Sequence, residues 1–235
     1  MGSFRPGDPA AVEQLFDQIA PRYDQLNDLL SLGLHRLWKR QAVAWLQPRP
    51  GQRLLDLCCG TGDLALVLAA KLRPGGSVLG LDAAAAPLQV AAQRAAAQPW
   101  LDLGWLQGDA LATGLADASF DGAVMAYGLR NLADPAAGLQ ELRRLLRPGA
   151  RAAVLDFNRA EQTWPAAFQR LYLRRLVVPA AERFGIGEHY AYLEASIARF
   201  PTATGQEALA RAAGFRFAKH RPLAAGQMGL LQLVA

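Results

Sequence analysis

Residues 54–64 read Leu-Leu-Asp-Leu-Cys-Cys-Gly-Thr-Gly-Asp-Leu, and no other stretch constrains this chain as strongly. An apolar strand ends in an acid, Asp56, meets a turn holding Gly60, Thr61 and Gly62, and opens a helix. A turn of this kind lets backbone come close to a nucleotide-like ligand. A second strand, 77–81, closes on Asp82. An acid about 20 residues beyond such a turn is where this layout binds ribose hydroxyls.

Three readings of the turn stand side by side. Gly60-x-Gly62-x-x-Ala65 fits a dinucleotide fingerprint. A turn without a ligand fits it too. Asp56 weighs against the dinucleotide, because its carboxylate would face a pyrophosphate at a helix N-terminus that attracts anions. The same carboxylate suits S-adenosyl-L-methionine, which carries a sulfonium and an ammonium and no phosphate. The stretch resembles the first motif of class I methyltransferases.

At 235 residues the chain is expected to form one domain, 1–235, with a substantial core. Apolar residues make up 52% and charged residues 19%, a globular balance. The apolar runs are too short or too interrupted to span a bilayer. The start of the chain lacks a basic stretch followed by an apolar core, so no secretory signal is read there. Cys58 and Cys59 are adjacent and His35, His189 and His220 are scattered, so no disulfide and no metal are expected. These features predict a cytoplasmic protein.

The alternation of patterns predicts strands at 53–57, 77–81, 102–106, 120–126 and 150–156, with helices at 62–72, 85–97 and 135–146. Arg147-Pro148-Gly149 is read as the stop of the last helix and the start of the fifth strand. The expected fold is α/β, a mostly parallel seven-stranded Rossmann-like sheet. Residues 12–47 are expected to form a helical lid, 48–157 a cofactor-binding core, 158–204 a helical insert and 205–235 closing strands, the last two at 213–219 and 228–234. Ligand sites in such sheets lie at the carboxyl ends of the strands. Asp56, Asp82, Asp109 and the segment 126–131 all fall at such ends.

Asp109 can accept from an adenine amino group while Ala110 offers its backbone N–H. The alternative is a helix N-cap, and the two roles can coexist. Tyr127-Gly128-Leu129-Arg130-Asn131 follows the fourth strand and places a cation and an amide beside the cofactor. The alternative for Arg130 is a pairing with an acid such as Asp134.

Together with Tyr23-Asp24-Gln25-Leu26-Asn27 and His35-Arg36-Leu37-Trp38-Lys39-Arg40, that segment resembles the quinone C-methyltransferase family of ubiquinone and menaquinone biosynthesis. Residues 192–201, Tyr-Leu-Glu-Ala-Ser-Ile-Ala-Arg-Phe-Pro, resemble the family's late motif. Residues 54–65, 185–193 and 226–229 look like its cyanobacterial and plastid branch, which methylates the 2-phytyl naphthoquinone precursor of vitamin K1. Ala126 stands where many relatives carry a small hydroxyl residue.

The resemblance implies methyl transfer from S-adenosyl-L-methionine to a ring carbon of a prenylated naphthoquinol. Demethylmenaquinone or a benzoquinol precursor of ubiquinone is the alternative acceptor. It implies Asp56, Gly60, Thr61, Gly62, Asp82, Asp109 and Ala110 as the cofactor site. Arg130 and Asn131 would stabilise the quinol oxygen, and Tyr23 and His189 are candidate proton acceptors or orienters. A quinone reductase is the implied partner.

The charge is uneven. Residues 1–157 carry 15 Lys/Arg against 15 Asp/Glu, and residues 158–235 carry 10 against 5. In the insert, Trp164, Phe168, Leu171, Tyr172, Leu176 and Val177 form an apolar stripe beside Arg170, Arg174 and Arg175. The stripe is either core or a surface resting transiently on anionic lipid, on the inner or the thylakoid membrane. An RNA-modifying methyltransferase is a distant rival. No nucleic acid is expected, since the basic residues interleave with the stripe rather than with exposed stacking aromatics.

Overall fold

A computed structural model describes residues 33–159 and 187–235, with 187–192 as backbone alone. The elements in chain order are α1 (Leu34–Leu46), β1 (Arg53–Leu57), α2 (Asp63–Lys71), β2 (Ser77–Asp82), α3 (Ala85–Ala96), β3 (Leu103–Gln107) and β4 (Phe120–Ala126). They continue with α4 (Pro135–Leu145), β5 (Leu146–Phe157), α5 (Gly187–Arg199), α6 (Ala203–Ala212), β6 (Phe217–Leu223) and β7 (Met228–Val234). The strands form one seven-stranded sheet in the order β3-β2-β1-β4-β5-β7-β6. The first five run parallel, and β7 is antiparallel to both neighbours, from Arg151↔Val234 to Phe157↔Met228 on the β5 side. The order reverses between β1 and β4, so the loops after those two strands open a crevice at the carboxyl edge.

Apolar alternation explains the layers. Leu55, Leu57, Ala123 and Met125 pack on one side of the sheet with Leu139, Leu142 and Leu145 of α4. Leu54 and Val124 pack on the other, with Val43 and Leu46 of α1 and Leu64 and Leu68 of α2. Helix α1 is fixed by more than its apolar stripe. Trp45 donates its indole N–H to the Ala152 carbonyl at 3.0 Å, stacks on Phe217, and lies under the Arg151 guanidinium.

Three expected boundaries are corrected. The expected strand 213–219 lies at Phe217–Leu223 instead, and the segment expected to hold closing strands from 205 onward begins with most of α6. Thr202 caps α6 by accepting from the Gly205 N–H. At its other end Gly214 adopts φ 94° and Phe215 donates back to the Ala210 carbonyl, a turn that no strand can share. Arg147-Pro148-Gly149 does not precede the fifth strand but lies inside it, as a bulge where the register shifts between Phe120↔Leu146 and Gly122↔Arg151. Among the described residues no helix is long and apolar enough to cross a membrane.

Candidate active site

The glycine turn is built by its neighbours. Cys59 donates its backbone N–H to Leu81 O at 3.0 Å, and Gly60 donates to Asp82 Oδ2 at 2.8 Å. The ends of β1 and β2 are therefore tied together at the turn. Gly62 has φ 80° and forms the N-terminus of α2 without a side-chain cap of its own, and the Ala65 N–H of the first turn bonds to the Asp56 carboxyl instead. An added Cβ at Gly62 would lie 2.6 Å from the Trp105 ring, and one at Gly80 would lie 2.5 Å from it. Both positions are small because the Trp105 indole from β3 lies against them.

Around the turn lies a cleft that opens to solvent. Its lining includes Asp56, Cys58, Cys59, Gly60, Thr61, Ala126, Tyr127 and, from α1, Lys39. Asp56 is 1% exposed, and its Oδ2 has no hydrogen-bond partner among the described residues. Burial pushes its carboxyl up to about 7, although Lys39 and the Ala65 N–H pull it down. A buried carboxylate oxygen with no partner is costly, and a cationic ligand relieves it. The site residues thus fit a positively charged cofactor. Burial likewise pushes both cysteine thiols up, so Cys58 and Cys59 are protonated wall residues, and both are free.

Asp82 is half-buried and accepts from Gly60 and Ala84 N–H groups, at 2.8 and 3.0 Å on different oxygens. Asp109 is exposed and closes a turn by accepting from Leu111 N–H at 2.9 Å, with Ala110 buried beneath it. No helix starts there, so the N-cap alternative is set aside. Thr61 is buried, and Arg94 of α3 donates to its carbonyl at 3.0 Å and its hydroxyl at 3.3 Å.

Beyond β4, Arg130 and Asn131 sit in a one-turn 3-10 helix, Leu129–Asn131, and both are buried. The acid that pairs with Arg130 is Asp156 at the end of β5, not Asp134. Asp134 instead caps α4, accepting from Ala136 and Ala137 N–H groups. Arg130 donates its backbone N–H to Asp156 Oδ2 at 3.0 Å, and its Nε lies 3.3 Å from Oδ1 at ion-pair distance without hydrogen-bond alignment. Burial pushes the Asp156 carboxyl up, with Arg130 pulling the other way. Arg130 Nη1 donates to Asn131 Oδ1 at 2.5 Å and to Ser196 Oγ of α5 at 3.1 Å. Asn131 Nδ2 donates to Tyr127 O at 2.9 Å. Arg130 Nη2 donates to none of the described residues.

Of the candidates read from the sequence, the structure gathers Asp56, Gly60 and Thr61 at the cleft, places Gly62 at the start of α2 beside it, and hydrogen-bonds Asp82 to the same turn. Tyr23 lies outside the described residues, as does the stripe at 164–177, and His189 falls on α5 where only the backbone is described. Sequence reasoning assigned no role to Lys39, Arg94, Trp105, Asp156 or Ser196. Asp156 carried a legible signal, a strand ending in an acid as at Asp56 and Asp82. The others meet their partners only through folding.

A seven-stranded sheet with this reversal, a glycine turn after β1 and an acid closing β2 defines a class I S-adenosylmethionine-dependent methyltransferase. In fold alone it is similar to a SAM-dependent methyltransferase from Aquifex aeolicus, with a TM-score of 0.61 at 16% identity, covering 97% of this chain and 98% of that one. The chain belongs to the ubiE/COQ5 methyltransferase family, which matches residues 6–231. It is 52% identical over 228 residues to a 2-phytyl-1,4-naphthoquinone methyltransferase of Synechococcus elongatus, covering 97% of this chain and 98% of that one. It is 42% identical over 220 residues to a chloroplastic 2-phytyl-1,4-β-naphthoquinone methyltransferase of Arabidopsis thaliana, covering 92% and 84%.

Proposed function

We propose that this chain methylates a ring carbon of a prenylated naphthoquinol, with 2-phytyl-1,4-naphthoquinol, the precursor of phylloquinone, as the acceptor. The observation that carries this reading is the 52% identity to a naphthoquinone methyltransferase across 97% of the chain. S-adenosylmethionine supplies an electrophilic methyl group on a positively charged sulfur. Asp56, Gly60, Thr61 and Gly62 hold its amino-acid part, Asp82 its ribose, and Asp109 with Ala110 its adenine.

The acceptor carbon is a poor nucleophile in a quinone and a good one in the quinol once a neighbouring hydroxyl gives up its proton. Arg130 binds the developing oxyanion through Nη2. Asn131 orients Arg130 by accepting from its Nη1. A water near Arg130, or Tyr23 or His189, takes the hydroxyl proton; as the carbon–methyl bond forms the sulfur–methyl bond breaks and leaves S-adenosylhomocysteine, and the ring carbon then gives up its own proton while the oxyanion regains one, which restores the quinol. Holding donor and acceptor in line in the cleft supplies much of the acceleration. A quinone reductase delivers the acceptor in reduced form. The enzyme works in the cytoplasm at a membrane surface, resting its insert transiently on anionic lipid to admit a membrane-dissolved acceptor.

The test is methyl transfer from labelled S-adenosylmethionine to demethylphylloquinone in its oxidised and its reduced form. Turnover with the quinol alone is the expected result. No turnover with either form, while cofactor still binds, overturns the acceptor and directs the search to benzoquinols. Flotation of the full chain with phosphatidylglycerol vesicles tests the lipid surface, and binding to neutral vesicles alone or to none removes it.

A further inference from the structure

The inner end of the cleft carries two opposite charges that do not neutralise each other. Asp56 presents a buried carboxylate oxygen with no hydrogen-bond partner among the described residues. Lys39 enters the same cleft from α1, its side chain only 13% exposed, and donates to Asp63 Oδ2 at 2.9 Å. Asp63 is shared. Its other oxygen, Oδ1, lies 2.5 Å from Arg94 Nη2. Burial alone would raise the Asp63 carboxyl, and Lys39 and Arg94 together hold it below its ordinary value. Two cations on one carboxylate leave a surplus positive charge. The uncapped N-terminus of α2 at Gly62 adds to it from the same direction.

An α-amino acid is a zwitterion, and this end of the cleft is its electrostatic complement. We infer that Lys39 is the carboxylate-binding residue for the methionine part of the cosubstrate, placed opposite Asp56, which takes the ammonium. This rests on S-adenosylmethionine as cosubstrate. Each ammonium has three N–H donors, and Lys39 spends one on Asp63, leaving donors for a second acceptor. The arrangement fixes which way round the cosubstrate lies, amino acid under α1 and adenosine toward Asp82. It also makes α1 part of the binding site, so that cosubstrate binding ties α1 to the glycine turn.

The experiment is calorimetric binding of S-adenosylmethionine and of its decarboxylated analogue, which lacks only the carboxylate, to the full chain and to Lys39→Met and Lys39→Arg. A charge-assisted hydrogen bond predicts that the unaltered chain prefers S-adenosylmethionine by about 10–100-fold. Lys39→Met loses that preference while its affinity for the decarboxylated analogue is unchanged or tighter, and Lys39→Arg restores part of it. If Lys39→Met weakens both ligands equally, Lys39 acts only through Asp63 on the turn, and the inference is overturned. It is overturned as well if the unaltered chain binds the two ligands equally. Failure of the unaltered chain to bind either ligand overturns the cosubstrate reading, and the role of Lys39 with it.

Discussion

Arg130 and Asp156 meet twice, once through the Arg130 backbone N–H at 3.0 Å and once through its guanidinium at 3.3 Å, with side chains 6% and 3% exposed. The first contact fixes the loop after β4 against the end of β5. The second fixes the guanidinium, which also lies over the Phe157 ring. Because Nη1 reaches Ser196 on α5, one buried cation joins two strands of the sheet to that helix.

Breaking this pair is expected to separate stability from chemistry. Arg130→Ala leaves the Asp156 carboxylate buried with its backbone N–H donors but without its cation, a loss of about 3–5 kcal/mol. Arg130→Lys keeps the charge and loses the fork that reaches Asn131 and Ser196 together. Arg130→Lys therefore lowers kcat at least tenfold while cosubstrate affinity, read by calorimetry, changes less. Equal loss of both removes the assigned role.

Ser196 is a positioning residue for Arg130. Its hydroxyl accepts from Arg130 and donates to Leu193 O at 2.9 Å, and it is fully buried. Ser196→Ala removes one acceptor and costs about 1–2 kcal/mol of stability. The expected kinetic signature is a lower kcat with cosubstrate affinity intact.

Asp56 makes cosubstrate binding depend on pH. A cationic ligand needs the ionised carboxylate, and in the free protein that carboxyl titrates at about 7. Affinity should fall by about tenfold per pH unit below 7 and level off above it. Stability of the cofactor-free chain runs the opposite way. The raised value favours the folded state below pH 3.8, and that contribution is lost as pH rises through 7. Asp56→Asn should bind weakly without the pH slope and should gain stability relative to the unaltered chain between pH 4 and 8, read by thermal melting. A pH slope that survives in Asp56→Asn assigns it to another group.

The Trp105 indole allows no side chain at residue 80. Gly80→Ala sets a methyl group 2.5 Å from the ring, within a core that overpacking destabilises by about 1–3 kcal/mol. Because the same ring lies under Gly62, the displacement should also weaken cosubstrate binding. Gly80→Ala combined with Trp105→Leu should recover most of the lost melting temperature, and no recovery removes the steric account.

Glu141 holds the segment after Asp109. It accepts from Thr113 N–H at 2.9 Å and the Thr113 hydroxyl at 2.6 Å, and it pairs with Arg144. The Arg144 contact holds its carboxyl well below the ordinary 4.5. A depressed value stabilises the fold above pH 4.5, and the gain disappears as pH falls through the folded value. Glu141→Gln should cost about 1–3 kcal/mol at pH 7, with the difference from the unaltered chain shrinking as pH drops below 4.5. A constant difference across that window excludes the charge as the cause.

The alternation of strand and helix, the glycine turn and the acids at the ends of β1 and β2 were all legible in the chain. Each is written in residues a few positions apart, where backbone preference and apolar period act locally. Local pattern also misplaced β6, because the segment 213–219 looks apolar enough for a strand while Gly214 ends a helix there.

Partner choice was decided elsewhere. Nothing near Arg130 in sequence distinguishes Asp134 from Asp156, and the nearer acid is taken by the N-terminus of α4. Lys39 reaches Asp63 across 24 residues, Arg94 reaches Thr61 across 33, and Ser196 reaches Arg130 across 66. The chain alone determined the class of fold and the edge of the sheet that binds the cosubstrate, since both follow from short-range periodicity and turn chemistry. Only the tertiary structure decided which charges are buried, which are shared and which are left to meet a ligand, because desolvation and ion pairing depend on groups that packing brings together from distant parts of the chain.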